Sequence, residues 1–175
     1  AQTIDLFAPM AVQSGLELQY HFDPSFPDWV CGDSIRLQQV LTNLIGNAFK
    51  FTPKGHVSVD ASLLPSVQPG TTRIFFSISD TGCGIADDAL GTLFQPFTQV
   101  SQGYARSHQG AGLGLTICKH LVTLMGGNMS VESELGVGTR FYFCIPFQAT
   151  EQIRMVDKPA LRELAASRTG RVLLA

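Results

Sequence analysis

The chain has 175 residues, 45% of them hydrophobic and 15% charged, with a formal net charge of −2. That length suits one domain with a sizeable core, and the ordinary balance excludes a wholly disordered chain. A near-neutral charge gives no basic field for nucleic acid, and no apolar run approaches the ~20 residues that span a bilayer.

Cys31, Cys83, Cys118 and Cys144 are scattered, with no C-x-x-C pair and no zinc-like spacing to histidine. They read as buried or partly buried free thiols of a cytoplasmic protein. No basic head followed by an apolar stretch opens the chain, so residues 1–6 read as a domain edge and not a signal peptide.

In chain order, residues 4–13 predict a short helix ended by Gly15, and residues 16–22 alternate apolar and polar as a strand does. Pro24 and Pro27 make residues 23–28 a loop. Asp33 or Ser34 can cap a long helix over residues 35–51, with Pro53 and Gly55 just past its end. Residues 56–63 and 72–79 predict two strands joined by a turn over residues 65–70. A Gly-rich loop follows at residues 80–85. Residues 94–109 are polar and poorly periodic and read as a mobile loop. Residues 113–125 predict a helix ended by Gly126 and Gly127, and residues 129–134 and 139–147 predict a hairpin through Gly136 and Gly138. Helices mixed with antiparallel hairpins point to a two-layer α/β sandwich. Residues 148–170 have the unpatterned, charged character of a linker, and residues 171–175 turn apolar again, as a strand begins.

The long helix carries an apolar face at Leu37, Leu41, Leu44, Ile45 and Ala48. Arg36, Gln39, Asn43, Asn47 and Lys50 recur at steps of three and four on another face. A solvated face is the plain alternative, but it gains more from Glu or Lys than from two poor helix formers. Two amides and an ammonium in a row can supply an oxygen for Mg²⁺ beside a phosphate-binding cation.

Asp80-Thr81-Gly82-Cys83-Gly84 sets a carboxylate, an acceptor-only group when ionised, into a Gly-x-Gly turn. The exocyclic amine of adenine is a matching donor. Ordinary turns and calcium loops share this pattern. Gly110-Ala111-Gly112-Leu113-Gly114-Leu115 enters a helix whose N-terminal N–H groups can hold phosphate. It is neither the dinucleotide fingerprint nor a P-loop, and a plain hinge is the alternative. Gly136-Val137-Gly138-Thr139 is a Gly-rich turn between strands. Phe94-Gln95-Pro96-Phe97 can anchor one end of the mobile segment or simply pack in the core.

Taken in this order, the features resemble the catalytic domain of sensor histidine kinases, within the gyrase and heat-shock-chaperone type of ATPase. Residues 37–52 resemble its asparagine box, residues 80–84 its first glycine box and residues 94–97 its phenylalanine box. Residues 110–115 resemble its second glycine box, and residues 136–139 its last Gly-x-Gly-Thr. The resemblance spans about residues 3–147 and implies an α+β fold: a two-layer sandwich of a mixed, mostly antiparallel sheet on about three helices, with a mobile ATP lid. It implies that Asn47 ligates Mg²⁺ on the ATP phosphates. It puts Asn43 where gyrase-type ATPases carry a water-activating glutamate, and Lys50 on phosphate. Asp80 would read the adenine amine with Thr139 nearby, and Gly82 and Gly84 would shape the base pocket. Phe94 and Phe97 would anchor the lid. Gly110, Gly112, Gly114 and Leu115 would lie at the phosphates, with Arg106 a candidate γ-phosphate contact. Ala111 departs from the threonine often found there.

The acceptor histidine of such kinases is followed by an acidic residue on an upstream helical hairpin. His21, His56, His108 and His120 all lack that neighbour. The expectation is a domain that binds Mg-ATP and phosphorylates a histidine elsewhere in its parent. Residues 171–175 resemble the first strand of a receiver domain, which implies a hybrid kinase in a two-component phosphorelay. The rivals are a gyrase-like ATPase, disfavoured by Asn43, and a kinase-like module that only binds partners, disfavoured by Asn47, Asp80 and the glycine boxes.

Overall fold

Apolar residues at every second strand position, and a one-sided apolar stripe on one long helix, build two layers that share a single core. The computed structural model describes residues 2–27, 29–66, 68–98, 112–149 and 171–173. The elements in order are α1 (Gln2–Asp5), α2 (Ala8–Ser14), β1 (Glu17–Phe22), β2 (Trp29–Cys31), α3 (Ser34–Phe51), β3 (His56–Leu64), β4 (Thr71–Asp80), α4 (Asp87–Leu90), α5 (Gly114–Leu124), β5 (Asn128–Glu134), β6 (Gly138–Ala149) and β7 (Arg171–Leu173).

The single helix expected over residues 4–13 is two. Pro9 has no N–H to donate, and its ring collides with the carbonyl four residues back, so it sits in the first turn of α2. The break turns Phe7 inward, where its ring stacks on Phe49 of α3 with centroids 5.8 Å apart. Asp33 is the cap of α3, its Oδ1 accepting from the Arg36 N–H at 2.9 Å, and Ser34 is the first helical residue. The short elements β2 and α4 were not expected. β2 is three residues long and finds its partner far along the chain, with Val30 opposite Ala149 and Cys31 opposite Gln148.

The seven strands form one sheet in the order β1-β3-β4-β6-β2-β7, with β5 also on β6. The β1–β3 pair is parallel and the others are antiparallel. One edge of β6 is shared: β5 pairs with residues 138–144 and β2 with residues 148–149. Pro146 falls in the gap between the two partners, where proline is tolerated on a strand. Of residues 171–175, expected to begin a strand, the described residues 171–173 form β7, antiparallel to β2 in this same sheet.

Val57, Val59, Ala61, Ile74, Phe76, Ile78, Met129, Phe141, Phe143 and Ile145 face Leu37, Val40, Leu44, Ile45 and Ala48 of α3 and Cys118 and Val122 of α5. Phe76 and Phe143 stack with centroids 4.8 Å apart. Cys118 is fully buried, which pushes its thiol up to about 12. Cys31 is exposed, unlike the buried or half-buried thiol expected, because it alternates with buried Val30 on β2 and so lies on the opposite face.

Candidate functional site

The helix-facing side of β4 reads Ile74, Phe76, Ile78, Asp80, so the apolar series ends in a carboxylate. Asp80 is 9% exposed. Its Oδ1 accepts the Gly82 N–H at 2.9 Å, so the loop after β4 curls back onto its own strand end. Burial pushes the Asp80 carboxyl above its ordinary value, with smaller opposing effects from the neighbouring Gly82, Thr139 and Thr52 groups. Thr52, just past α3, donates its hydroxyl to the Ala48 carbonyl at 2.7 Å and is buried beside this site.

The loop is fixed from both sides. Cys83 donates its N–H to the Phe51 carbonyl at 3.2 Å, and Gly136 donates to the Cys83 carbonyl at 2.8 Å. Gly84 has a φ of +65°, and a Cβ there would strike the Glu134 carbonyl. A Cβ on Gly82 would strike the Phe51 carbonyl. Thr139 lies directly opposite Asp80 in the β4–β6 register. The Cys83 thiol is pushed up by its burial and by the Asp80 carboxylate, which makes it a poor nucleophile.

Asn43 and Asn47 stand on the side of α3 that meets the start of α5. Asn43 Nδ2 reaches the Gly114 carbonyl at 3.5 Å, and Asn47 Nδ2 reaches Asn43 Oδ1 at 3.5 Å. A Cβ on Gly114 would lie 2.7 Å from Asn43 Oδ1, so glycine there lets the helices close. The contact spends the Asn47 amide nitrogen on Asn43 and turns Asn47 Oδ1 the other way, which suits a hard cation. Lys50 extends over the ring of Phe51, its Nζ 5.0 Å from the centroid. Leu115 is half-buried against the core and seats the first turn of α5. Among the described residues that turn has Leu113 at its N-cap and no side-chain cap, and the leading N–H groups of such a turn suit an anion.

The phenylalanine segment is joined to the same helix. Thr116 Oγ1 donates to the Phe94 carbonyl at 3.1 Å, and Lys119 Nζ lies 4.6 Å from the centroid of the Phe94 ring. The Phe94 ring meets Phe141 edge-on at 6.5 Å. Phe97 differs: its ring is 75% exposed, its φ is +63°, and its N–H donates to the Gly112 carbonyl at 3.1 Å. Gly112 itself has a φ of +67°.

Five segments scattered along the sequence are therefore joined in pairs: the end of α3 with the Asp80 loop, that loop with the β5–β6 turn, Asn43 with Gly114, and Phe94 and Phe97 with α5 and its approach. Arg106 and Gly110, and with them most of the expected lid, lie outside the described residues. Among the described residues there is no group of three His, Cys, Asp or Glu that could hold a metal ion. A Mg²⁺ held by one amide oxygen, phosphate and water needs no such group. Sequence reasoning missed Ser133, whose hydroxyl contacts Ile85, Gly138 and Thr139 at this end of the sheet. One serine in a strand carries no local signal for such a role.

The family described as "Histidine kinase-, DNA gyrase B-, and HSP90-like ATPase" matches residues 32–149. The chain is 42% identical to hybrid signal transduction histidine kinase L of Dictyostelium discoideum over 149 residues, which is 85% of the chain and 9% of that protein. It is 37% identical to signal transduction histidine-protein kinase BarA of Shigella flexneri over 173 residues, 98% of the chain and 18% of that protein. The chain thus spans under a fifth of the length of these relatives. The crystal structure of full-length ShkA in complex with AMPPNP superposes with a TM-score of 0.72 at 38% identity, covering 86% of this chain and 30% of ShkA. Motif order, sheet topology and these likenesses agree, and the chain belongs to the histidine kinase-, DNA gyrase B- and HSP90-like ATPase family, on the branch of the two-component sensor histidine kinases.

Proposed function

We propose that this chain binds Mg-ATP and, within its parent protein, passes the γ-phosphoryl group to a histidine on an upstream dimerisation hairpin. The observation that carries the reading is the contact of Asn43 with Gly114, which sets the asparagine face of α3 against the uncapped first turn of α5. The complex of ShkA with AMPPNP supports the nucleotide.

Asp80 accepts the adenine amine through the oxygen not engaged by Gly82, with Thr139 beside it, and Gly82 and Gly84 shape the base pocket by letting the loop close on Phe51 and Glu134. Gly112, Gly114 and the first turn of α5 receive the phosphates, and Lys50 swings from Phe51 to meet them. Asn47 Oδ1 would hold Mg²⁺, and the ion would supply charge neutralisation for the phosphate oxygens. Phe94 and Phe97 anchor the near end of the lid, and Arg106 reaches the γ-phosphate. In the transfer, the bond from the γ-phosphorus to the bridging oxygen breaks and a bond to the imidazole nitrogen forms. The electron pair of the broken bond leaves with ADP, and the phosphorylated imidazole releases its ring proton to solvent water. Asn43 cannot take a proton from water, so the phosphoryl group is kept for the protein acceptor.

No helix among the described residues is long and apolar enough to cross a membrane, and the reading puts the domain in the cytoplasm. It also makes the parent a hybrid kinase with a receiver domain starting at residues 171–175. Likeness to BarA over 173 residues, past the end of β6, supports that extension. The test is titration of ATP with and without Mg²⁺. The wild type is expected to bind more tightly with the metal, and Asn47→Ala to lose that gain while still binding metal-free ATP. An unchanged Mg²⁺ gain in Asn47→Ala would remove Asn47 from the metal.

A further inference from the structure

The rung that closes the helix-facing side of the sheet holds a third polar group. Ser133 on β5 lies directly opposite Thr139 on β6, and Thr139 directly opposite Asp80 on β4. The three side chains therefore stand side by side on one face. Ser133 Oγ accepts the Ile85 N–H at 2.8 Å, donates to the Gly138 carbonyl at 2.9 Å and touches Thr139 Oγ1 at 2.9 Å. A hydroxyl has one proton and two lone pairs. The Ser133 proton is on the Gly138 carbonyl and one lone pair is on Ile85, so only a lone pair is left for Thr139. With the Ser133 proton on Gly138, the Thr139 proton goes to Ser133, which leaves buried Thr139 Oγ1 only lone pairs for any further partner. Ionised Asp80 beside it is also an acceptor only, with Oδ1 on the Gly82 N–H.

We propose that Ser133 is a specificity-determining positioning residue: by taking the Thr139 proton it makes the Asp80–Thr139 edge a pair of acceptors that selects a purine with an exocyclic amine. The inference rests on the reading of this sheet end as the base site. With both acceptors addressed to the 6-position, a purine with a carbonyl oxygen there, as in inosine triphosphate, meets acceptor against acceptor and is disfavoured, its N1–H being the one compensating donor. Without Ser133 the Thr139 hydroxyl turns freely and can donate to that oxygen. The same serine fixes the exit of the Asp80 loop through Ile85.

The test is calorimetric titration of Mg-ATP and Mg-inosine triphosphate into the wild type, Ser133→Ala, Ser133→Thr, Thr139→Val and the Ser133→Ala/Thr139→Val pair. The wild type is expected to favour ATP. Ser133→Ala should weaken ATP about fivefold and cut the ATP preference by about tenfold, the scale of one or two hydrogen bonds. Ser133→Thr should restore the preference. In the Thr139→Val background Ser133→Ala should leave the preference within about twofold, because its route is gone. A folded Ser133→Ala with the wild-type preference, or one that shifts it equally in both backgrounds, overturns the proposal. If Ser133→Ala shows no cooperative melt, Thr139→Val alone decides: an undiminished preference there overturns it too. A wild type that binds neither nucleotide sinks the base-site reading itself, a result distinct from any difference among variants.

Discussion

An aspartate buried at a sheet end is easier to fold neutral than ionised, and Asp80 shows that sign. Its folded-state value lies above the ordinary 3.8, so its contribution to stability is full below that value and is lost as pH rises through the raised one. At neutral pH the ionised carboxylate therefore destabilises the nucleotide-free chain, while on the proposed reading its charge serves the adenine amine. Asp80→Asn is expected to raise the melting temperature at neutral pH and to weaken ATP at least tenfold, the scale of a charge-assisted hydrogen bond. Thermal melting and calorimetry read both effects. A lower melting temperature with unchanged affinity would take Asp80 out of the base site. ATP affinity in the wild type should also fall as the solution is acidified through the Asp80 titration, because the bound state needs the ionised form. Asp80 was legible in the sequence because it sits in a patterned loop. Ser133 was not, because its role comes from residues 48 and 5–6 positions away that only the sheet register brings together.

Helix α3 works on two faces. One packs Leu37, Val40, Leu44 and Ile45 into the core and the other presents Asn43 and Asn47 to α5. Leu44 is fully buried, and Leu44→Ala is expected to cost about 3 kcal/mol of stability in a denaturant titration. A loss under ~1 kcal/mol would mean that α3 is not seated in the core. Both faces were legible, because a helical period over 18 residues repeats often enough to stand out. The break between α1 and α2 was less so, since the apolar spacing runs on through Pro9 and only the missing N–H stops it. A three-residue strand such as β2 and a single turn such as α4 have no period of their own. Tertiary partners decide them.

At the scale of the molecule, the proposal separates a nucleotide site from its acceptor. His21 lies on β1, His56 at the start of β3 and His120 on α5, all within this ATPase fold and none on a helical hairpin, and His108 lies outside the described residues. Incubated with labelled Mg-ATP, the chain alone is expected to gain no acid-labile phosphohistidine, and such a product here would overturn the assignment. Motif order was legible because each box has its own glycine or asparagine spacing. The pairwise contacts that gather the boxes were not, since sheet pairings across about 20 to about 140 residues leave no trace in local composition.

The double use of β6 sets an order of events during synthesis. Its first half completes the Asp80–Thr139–Ser133 rung and its last residues hold β2, a strand made more than a hundred residues earlier. A ribosome-bound chain that has not yet released residues 138–149 has every element of α3 and β4 but neither the finished rung nor a partner for β2. Such long-range closure is slow to form. Until then Trp29–Cys31 is an unpaired edge and Asp80 lacks its Thr139 neighbour, so on the proposed reading nascent chains of this domain depend on β6 before they can hold a nucleotide.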